Sequence, residues 1–294
     1  IHSLAQGPAS DLMTWKMRGP AGLADPEVVV RDDRGRVAVD VERVHEVWTL
    51  KLGRAPRGPV QVHAVFGRAG SPSLQTGLSC TEVSATLAGE VVPLPEALLA
   101  QPVAVALDVT HPSRPDYKVA TSLGLGPHHQ VTLRGPEIRR LNMLVGDLGV
   151  AKLETSVGRD EVAAMGYTAF DMRWVAAETA GVRSAVDSTI GLVSDLAFSV
   201  LMVSDFRSGE DRSPKVFLRT ASLWLGLDAG ESWGPEPRLQ VAQTLVSRWL
   251  GGQVWVAATD EPALWGQWLH LGFSRYIARE ILFSLGTVDV PEYL

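Results

Sequence analysis

The stretch Ala242-Gln243-Thr244-Leu245-Val246-Ser247-Arg248-Trp249-Leu250-Gly251-Gly252 decides the class of this chain. It belongs to a run over 239–250 whose apolar spacing predicts a helix. On such a helix Gln243 and Ser247 stand four apart and share one face, a turn from each other. Trp249 is expected in the core, with Arg248 a surface charge beside it. Toward the carboxyl end, Trp268-Leu269-His270-Leu271-Gly272-Phe273-Ser274-Arg275-Tyr276 falls in a second predicted helix over 263–284. Toward the amino end, Thr220-Ala221-Ser222-Leu223-Trp224-Leu225-Gly226-Leu227 falls in a predicted strand over 216–227. Before it come a polar loop over 208–213 and a compact apolar strand over 198–203. Helical spacing over 174–189 predicts one more helix, with Trp174, Ala177, Val182 and Val186 near one face.

The first half reads differently. Val28 to Val30 and Val37-Ala38-Val39-Asp40-Val41 flank Asp32-Asp33-Arg34-Gly35, a good hairpin turn. Segments over 46–52, 60–66 and 103–109 alternate in the strand period, and Gly and Pro punctuate the gaps. The expected fold class is α+β: an antiparallel β domain over 1–160, built from two packed sheets, then a mixed α/β subdomain over 161–294.

As a set, and in this order and rough spacing, the three segments resemble the zinc aminopeptidases of the aminopeptidase N and leukotriene-hydrolase type. That family carries H-E-x-x-H and a following Q-W-F-G-N-like stretch on a helix, and this chain keeps the W-x-G core there. A second family helix reads L-W-L-N-E-G-F-A-x-Y, similar to 268–276. The family's G-A-M-E-N-W-G-L edge strand is similar to 220–227, and Leu144-Val145-Gly146-Asp147-Leu148 resembles the strand closing its amino-terminal β domain. The resemblance implies a truncated, thermolysin-like subdomain after the β domain.

Its functional positions are replaced. The family's zinc takes two imidazoles one helical turn apart and a carboxylate from the next helix. By the resemblance, the first His corresponds to Gln243, the second to Ser247, the third ligand to Leu271 and the general-base Glu to Thr244. None is a zinc ligand of ordinary kind, and a Thr hydroxyl is not a base at neutral pH. The edge-strand Glu that would hold a substrate's amino terminus corresponds to Leu223. The chain also ends before any counterpart of the family's transition-state Tyr. The expectation is no metal and no cofactor.

Other chemistry finds little support in the residues. Among seven histidines no pair stands four apart on a helix. His128-His129 reads as a solvent-facing loop pair, and His270 as a residue that either touches a ligand or simply packs. No G-x-S-x-G elbow is present, and Ser122-Leu123-Gly124-Leu125-Gly126 lacks the G-K-[ST] of a phosphate loop. Cys80 is single and reads as an ordinary strand or loop residue. Lys plus Arg number 27 against 33 Asp plus Glu, a formal charge of −6 without a basic stripe, so nucleic acid is not expected as a partner. No apolar run approaches the roughly 18 residues of a membrane span, and no signal peptide is visible at the start, so a cytoplasmic protein is expected.

The functional expectation is a peptide-binding pseudo-peptidase. Strand addition to an exposed edge needs main-chain donors, acceptors and side-chain pockets, but no zinc. The expected peptide site comprises Arg219, Thr220, Ala221, Ser222 and Leu223 on the strand, over a floor of Gln243, Ser247 and His270. A neutral hydrogen-bonding floor suits a bound peptide; it equally suits a filled-in core. A precursor peptide of a ribosomally made natural product, as in crocagin-type pathways, would suit such a protein. The alternatives are a metal-independent enzyme in the same cleft and a structural or interaction subunit.

Overall fold

A computed structural model of the chain describes residues 13–18, 25–58, 60–65, 78–80, 84–95, 102–109, 114, 116–156, 158–165, 171–191, 198–205, 216–217, 220–226, 233–253 and 272–293. Two compact units emerge. The first holds 1–121 and 125–147, the second 122–124 and 148–294. The expected division at 160/161 falls inside a strand of the second unit.

The first unit is built from antiparallel sheets. Strands β1 (Thr14–Arg18), β4 (Val39–Val44), β5 (Val47–Leu52) and β9 (Leu94–Pro95) make a four-stranded sheet in the order β4-β5-β1-β9. Strands β2 (Glu27–Asp32), β3 (Gly35–Val37) and β6 (Gln61–Val65) make a three-stranded one in the order β3-β2-β6. The expected hairpin at Asp32 to Gly35 forms, with Asp32 opposite Gly35. The segment over 37–41 is not one strand: it breaks at Ala38, sending β3 and β4 into different sheets. Alternation buries Trp15, Met17, Val30, Val37, Trp48, Leu50 and Leu52 in one cluster. A third sheet runs β12 (Gly124–Leu125), β11 (Lys118–Thr121), β14 (Asn142–Gly146), β8 (Ser84–Ala88) and β7 (Leu78–Cys80), so Cys80 is a strand residue. Strands β10 (Pro102–Asp108) and β13 (His128–Arg134) pair alone, and the short helix α1 (Gly135–Arg139) follows.

The second unit opens with the hairpin β15 (Leu148–Thr155) and β16 (Gly158–Met165). Helix α2 (Met172–Ile190) crosses over to β17 (Phe198–Asp205), which runs parallel to β16. Strands β18 (Val216–Phe217) and β19 (Thr220–Gly226) complete a sheet of order β15-β16-β17-β19-β18. Helices α3 (Pro235–Gln253), α4 (Ser274–Ser284) and α5 (Val290–Tyr293) follow. Val162, Ala164, Phe198, Val200 and Met202 of the sheet pack with Val175, Val182 and Val186 of α2 and Val241, Leu245 and Val246 of α3.

Helix α2 is turned differently from its sequence reading. Its buried face is Met172, Val175, Ala176, Thr179, Val182, Arg183 and Val186, while Trp174 is 40% exposed. Trp174 lies beneath the guanidinium of Arg238 at 5.8 Å, so the ring is capped by a cation rather than sunk in the core. The buried stripe runs through Met172, Val175, Ala176, Val182 and Val186, and Arg183 joins it because its head group pairs with Asp160 inside the unit.

Candidate functional site

Helix α3, which carries Gln243, Thr244 and Ser247, is buried all round at its centre. Gln243, Thr244 and Ser247 are 4%, 7% and 8% exposed. Neighbours Val241, Ala242, Leu245 and Val246 belong to the apolar core, so polar and apolar faces are both covered. The hydroxyl of Thr244 donates to the carbonyl of Gln240 at 2.7 Å, a bond back to its own helix. Helix α3 packs on β19, α2 and α4. Arg219, His270 and Leu271 lie outside the described residues, as does the tip of the β18–β19 hairpin.

Thr220, Ala221, Ser222 and Leu223 lie on β19, opposite Ser199, Val200, Leu201 and Met202 of β17. The strand is not the sheet edge that the sequence led one to expect. It is second from the edge, because β18 folds back to pair Val216 with Ala221 and Phe217 with Thr220. The turn between 217 and 220 is too short to read from periodicity, so a single strand over 216–227 was the natural reading. Beyond Ala221, residues 222–226 of β19 pair with β17 alone among the described residues.

Two charged groups inside this unit carry no local sequence signal. Asp160 on β16 is fully buried and accepts from Arg183 of α2 at 3.2 Å. Arg183 also donates to the carbonyl of Arg159 at 3.1 Å. Burial pushes the Asp160 carboxyl up, and Arg183 opposes that shift. The partners are 23 residues apart, so only the packing of α2 on β16 brings them together. Glu161, 4% exposed by side chain, pairs with Arg159 at 2.9 Å, and its Oε2 lies 2.7 Å from the point a Cβ on Gly124 would occupy, closer than a Cβ tolerates.

In the first unit His128 and His129 open strand β13 and are not a loop pair, because both continue its ladder with β10. His128 Nδ1 lies 2.6 Å from Asp108, and His129 Nε2 lies 2.9 Å from the carbonyl of Gly126. Among the described residues no group of three His, Cys, Asp or Glu could hold a metal. No described helix is long and apolar enough to cross a membrane.

A β-rich unit followed by a mixed sheet, with α2 and α3 packed on that sheet and α4 on those helices, defines an α+β fold. No family model and no curated protein matches the sequence. Solved structures do. An aminopeptidase N family protein from Idiomarina loihiensis superposes over 100% of this chain and 52% of its own, with TM-score 0.72 and 14% identity. An M1 zinc metallopeptidase from Deinococcus radiodurans matches 94% of this chain and 63% of its own, with TM-score 0.53 and 15% identity. The native yeast LTA4 hydrolase matches 97% and 44%, with TM-score 0.56 and 12% identity. The chain thus spans under two thirds of each of these proteins, and the likeness is one of fold.

Proposed function

We propose that this protein is a non-catalytic peptide-binding protein that holds an extended segment in the former substrate cleft, along the outer side of β19. The observation that supports this reading is the pairing of residues 222–226 with β17 alone among the described residues, beside a helix where, by the resemblance, Gln243, Thr244 and Ser247 stand at the zinc and base positions. Phe217 opposes Thr220, and a hairpin this tight closes on a hydrogen-bonded pair. Backbone direction alternates along a strand, so Ser222 and Trp224 turn their N–H and C=O groups to the outer side, and Ala221 and Leu223 turn theirs to β17. Main-chain pairing to Ser222 and Trp224 supplies the affinity, and Thr244, spent on Gln240, supplies no base. The narrower form of the reading has a ribosomally made precursor peptide as the ligand and other enzymes as its modifiers.

Calorimetric titration with acetylated, amidated octapeptides and their alternately N-methylated counterparts tests this. Ser222→Pro removes one outward N–H, whereas Ser222→Ala keeps it. Binding lost in a folded Ser222→Pro variant, kept in Ser222→Ala, and abolished by N-methylation is the expected pattern. Equal affinities of the two folded variants would move the groove away from β19.

A further inference from the structure

We propose that the outer face of the β3-β2-β6 sheet is a separate docking site for an extended peptide segment bearing acidic side chains. Three observations converge there. Arg36, Arg31 and Gln61 stand opposite one another across the three strands, with Val29 opposite His63 in the next row. Arg31 and Arg36 are both exposed, and neither guanidinium has a hydrogen-bond or ion-pair partner among the described residues. Val29, Arg31, Gln61, Val62 and His63 line a hollow of about 430 Å³.

Two like charges directly opposite on adjacent strands destabilise a sheet. An unneutralised arginine pair costs folding energy that a bound carboxylate would recover. This chain carries a net charge of −6 and ample carboxylates elsewhere, so the missing counter-charge is a local feature. A guanidinium offers a planar fork of donors to a carboxylate. The strand β6 adds the second half of the recognition. Among the described residues it pairs with β2 alone, and no described strand covers its other edge, where a ligand strand would add. Such a strand would lie about 10 Å from β2 and about 14 Å from β3, so its every second side chain stands on the same face as Arg31 and Arg36, and a Glu there meets their long guanidinium arms across Gln61. Valine at the intervening positions keeps the ligand extended. Glu27, at the far end of the face opposite Val65, limits the acidic register to the Arg31 end.

The probe is a fluorescein-labelled octapeptide of alternating Glu and Val, read by anisotropy against its Gln–Val and N-methylated Glu–Val counterparts, in 0.05 M and then 0.5 M salt (roughly one Debye length of 10 Å or more against one well below it). The Glu–Val peptide is expected to bind at low salt and to lose most of its affinity at high salt. The Arg31→Thr/Arg36→Thr double variant should bind about tenfold more weakly, the magnitude of two exposed ion pairs. It should also melt no lower than the parent, because the like-charge pair is gone. All these titrations are made in the Ser222→Pro background, where the cleft at β19 no longer contributes, so binding of the Glu–Val peptide there separates this site from that cleft. Equal binding of the Gln–Val peptide, or of the double variant, would overturn the proposal. Full retention of binding by the N-methylated peptide, or displacement by free glutamate at equal concentration, would reduce the site to a simple anion site and overturn its peptide specificity. A lower melting temperature in the double variant would make the arginines structural and overturn it too.

Discussion

Asp32 accepts from Arg54 twice, at 2.5 and 2.8 Å, from the backbone N–H of Arg57 at 2.8 Å and from that of Arg34 at 2.9 Å. The Arg54 hydrogen bonds first, and the two N–H groups after, hold its carboxyl well below the ordinary carboxylate range. A lowered folded-state value means stability present above the unfolded value of about 3.9 and lost as pH falls toward the folded one. Asp32→Asn is therefore expected to lower the melting temperature at neutral pH, with the deficit shrinking as pH drops from about 5 toward 2. Thermal unfolding across that range measures it. Asp160 has the opposite sign. Burial raises it against the opposing pull of Arg183, so the stability linked to its protonation is present at low pH and lost as pH rises through the folded value. Arg183→Met is expected to cost about 3 kcal/mol in urea unfolding, and Asp160→Leu/Arg183→Met to recover most of that, since removing one partner of a buried pair leaves the other unpaired.

Helix α2 owes its ends to single residues. Asp171 caps its start by accepting from the N–H of Arg173 at 2.8 Å, and Gly191 ends it at φ +70. Asp171→Ala should cost about 1 kcal/mol, measured by denaturant midpoint at unchanged slope. The β4–β5 hairpin shows a local conflict of the other kind. His45 adopts φ +56, a conformation that glycine takes without penalty. His45→Gly is expected to stabilise by about 0.5 to 1 kcal/mol, and a loss of stability would mean that its side chain is needed. Of these elements, α2, α3 and β17 were legible from apolar spacing, with boundaries off by a few residues. The rotation of α2 was not, because its buried arginine breaks the hydrophobic stripe from which rotation is read. The β18 fold-back was not, because two residues carry no period.

At the scale of the molecule, the reading as a pseudo-peptidase predicts two absences in solution. On that reading, elemental analysis of dialysed protein should find under about 0.1 zinc per chain, because the proposed correspondence sets an amide and a hydroxyl, Gln243 and Ser247, against the family's two imidazoles. On the same reading, aminoacyl reporter substrates should turn over no faster than in buffer, because the proposed correspondence leaves neither a zinc ligand nor a base at 243, 244 and 247. One zinc per chain, or robust turnover by the unmodified protein, would make this chain a divergent enzyme.

By itself, the sequence determined the α+β class, the helix and strand types of the second unit, and the identities Gln243, Thr244 and Ser247 at the questioned positions. These are local quantities: periodicity, turn residues and side-chain chemistry are all written within a few residues of one another. Tertiary structure alone decided the rest. It made β19 the second strand from the edge and set Thr244 against its own helix. It joined Asp160 to Arg183 and placed Arg31 and Arg36, which have no partner among the described residues, opposite each other on β2 and β3. Each of those is a pairing between strands or between helix and sheet. A pairing depends on register and packing, and a one-residue change in register reverses which side chains meet without altering the local pattern that announces the strand.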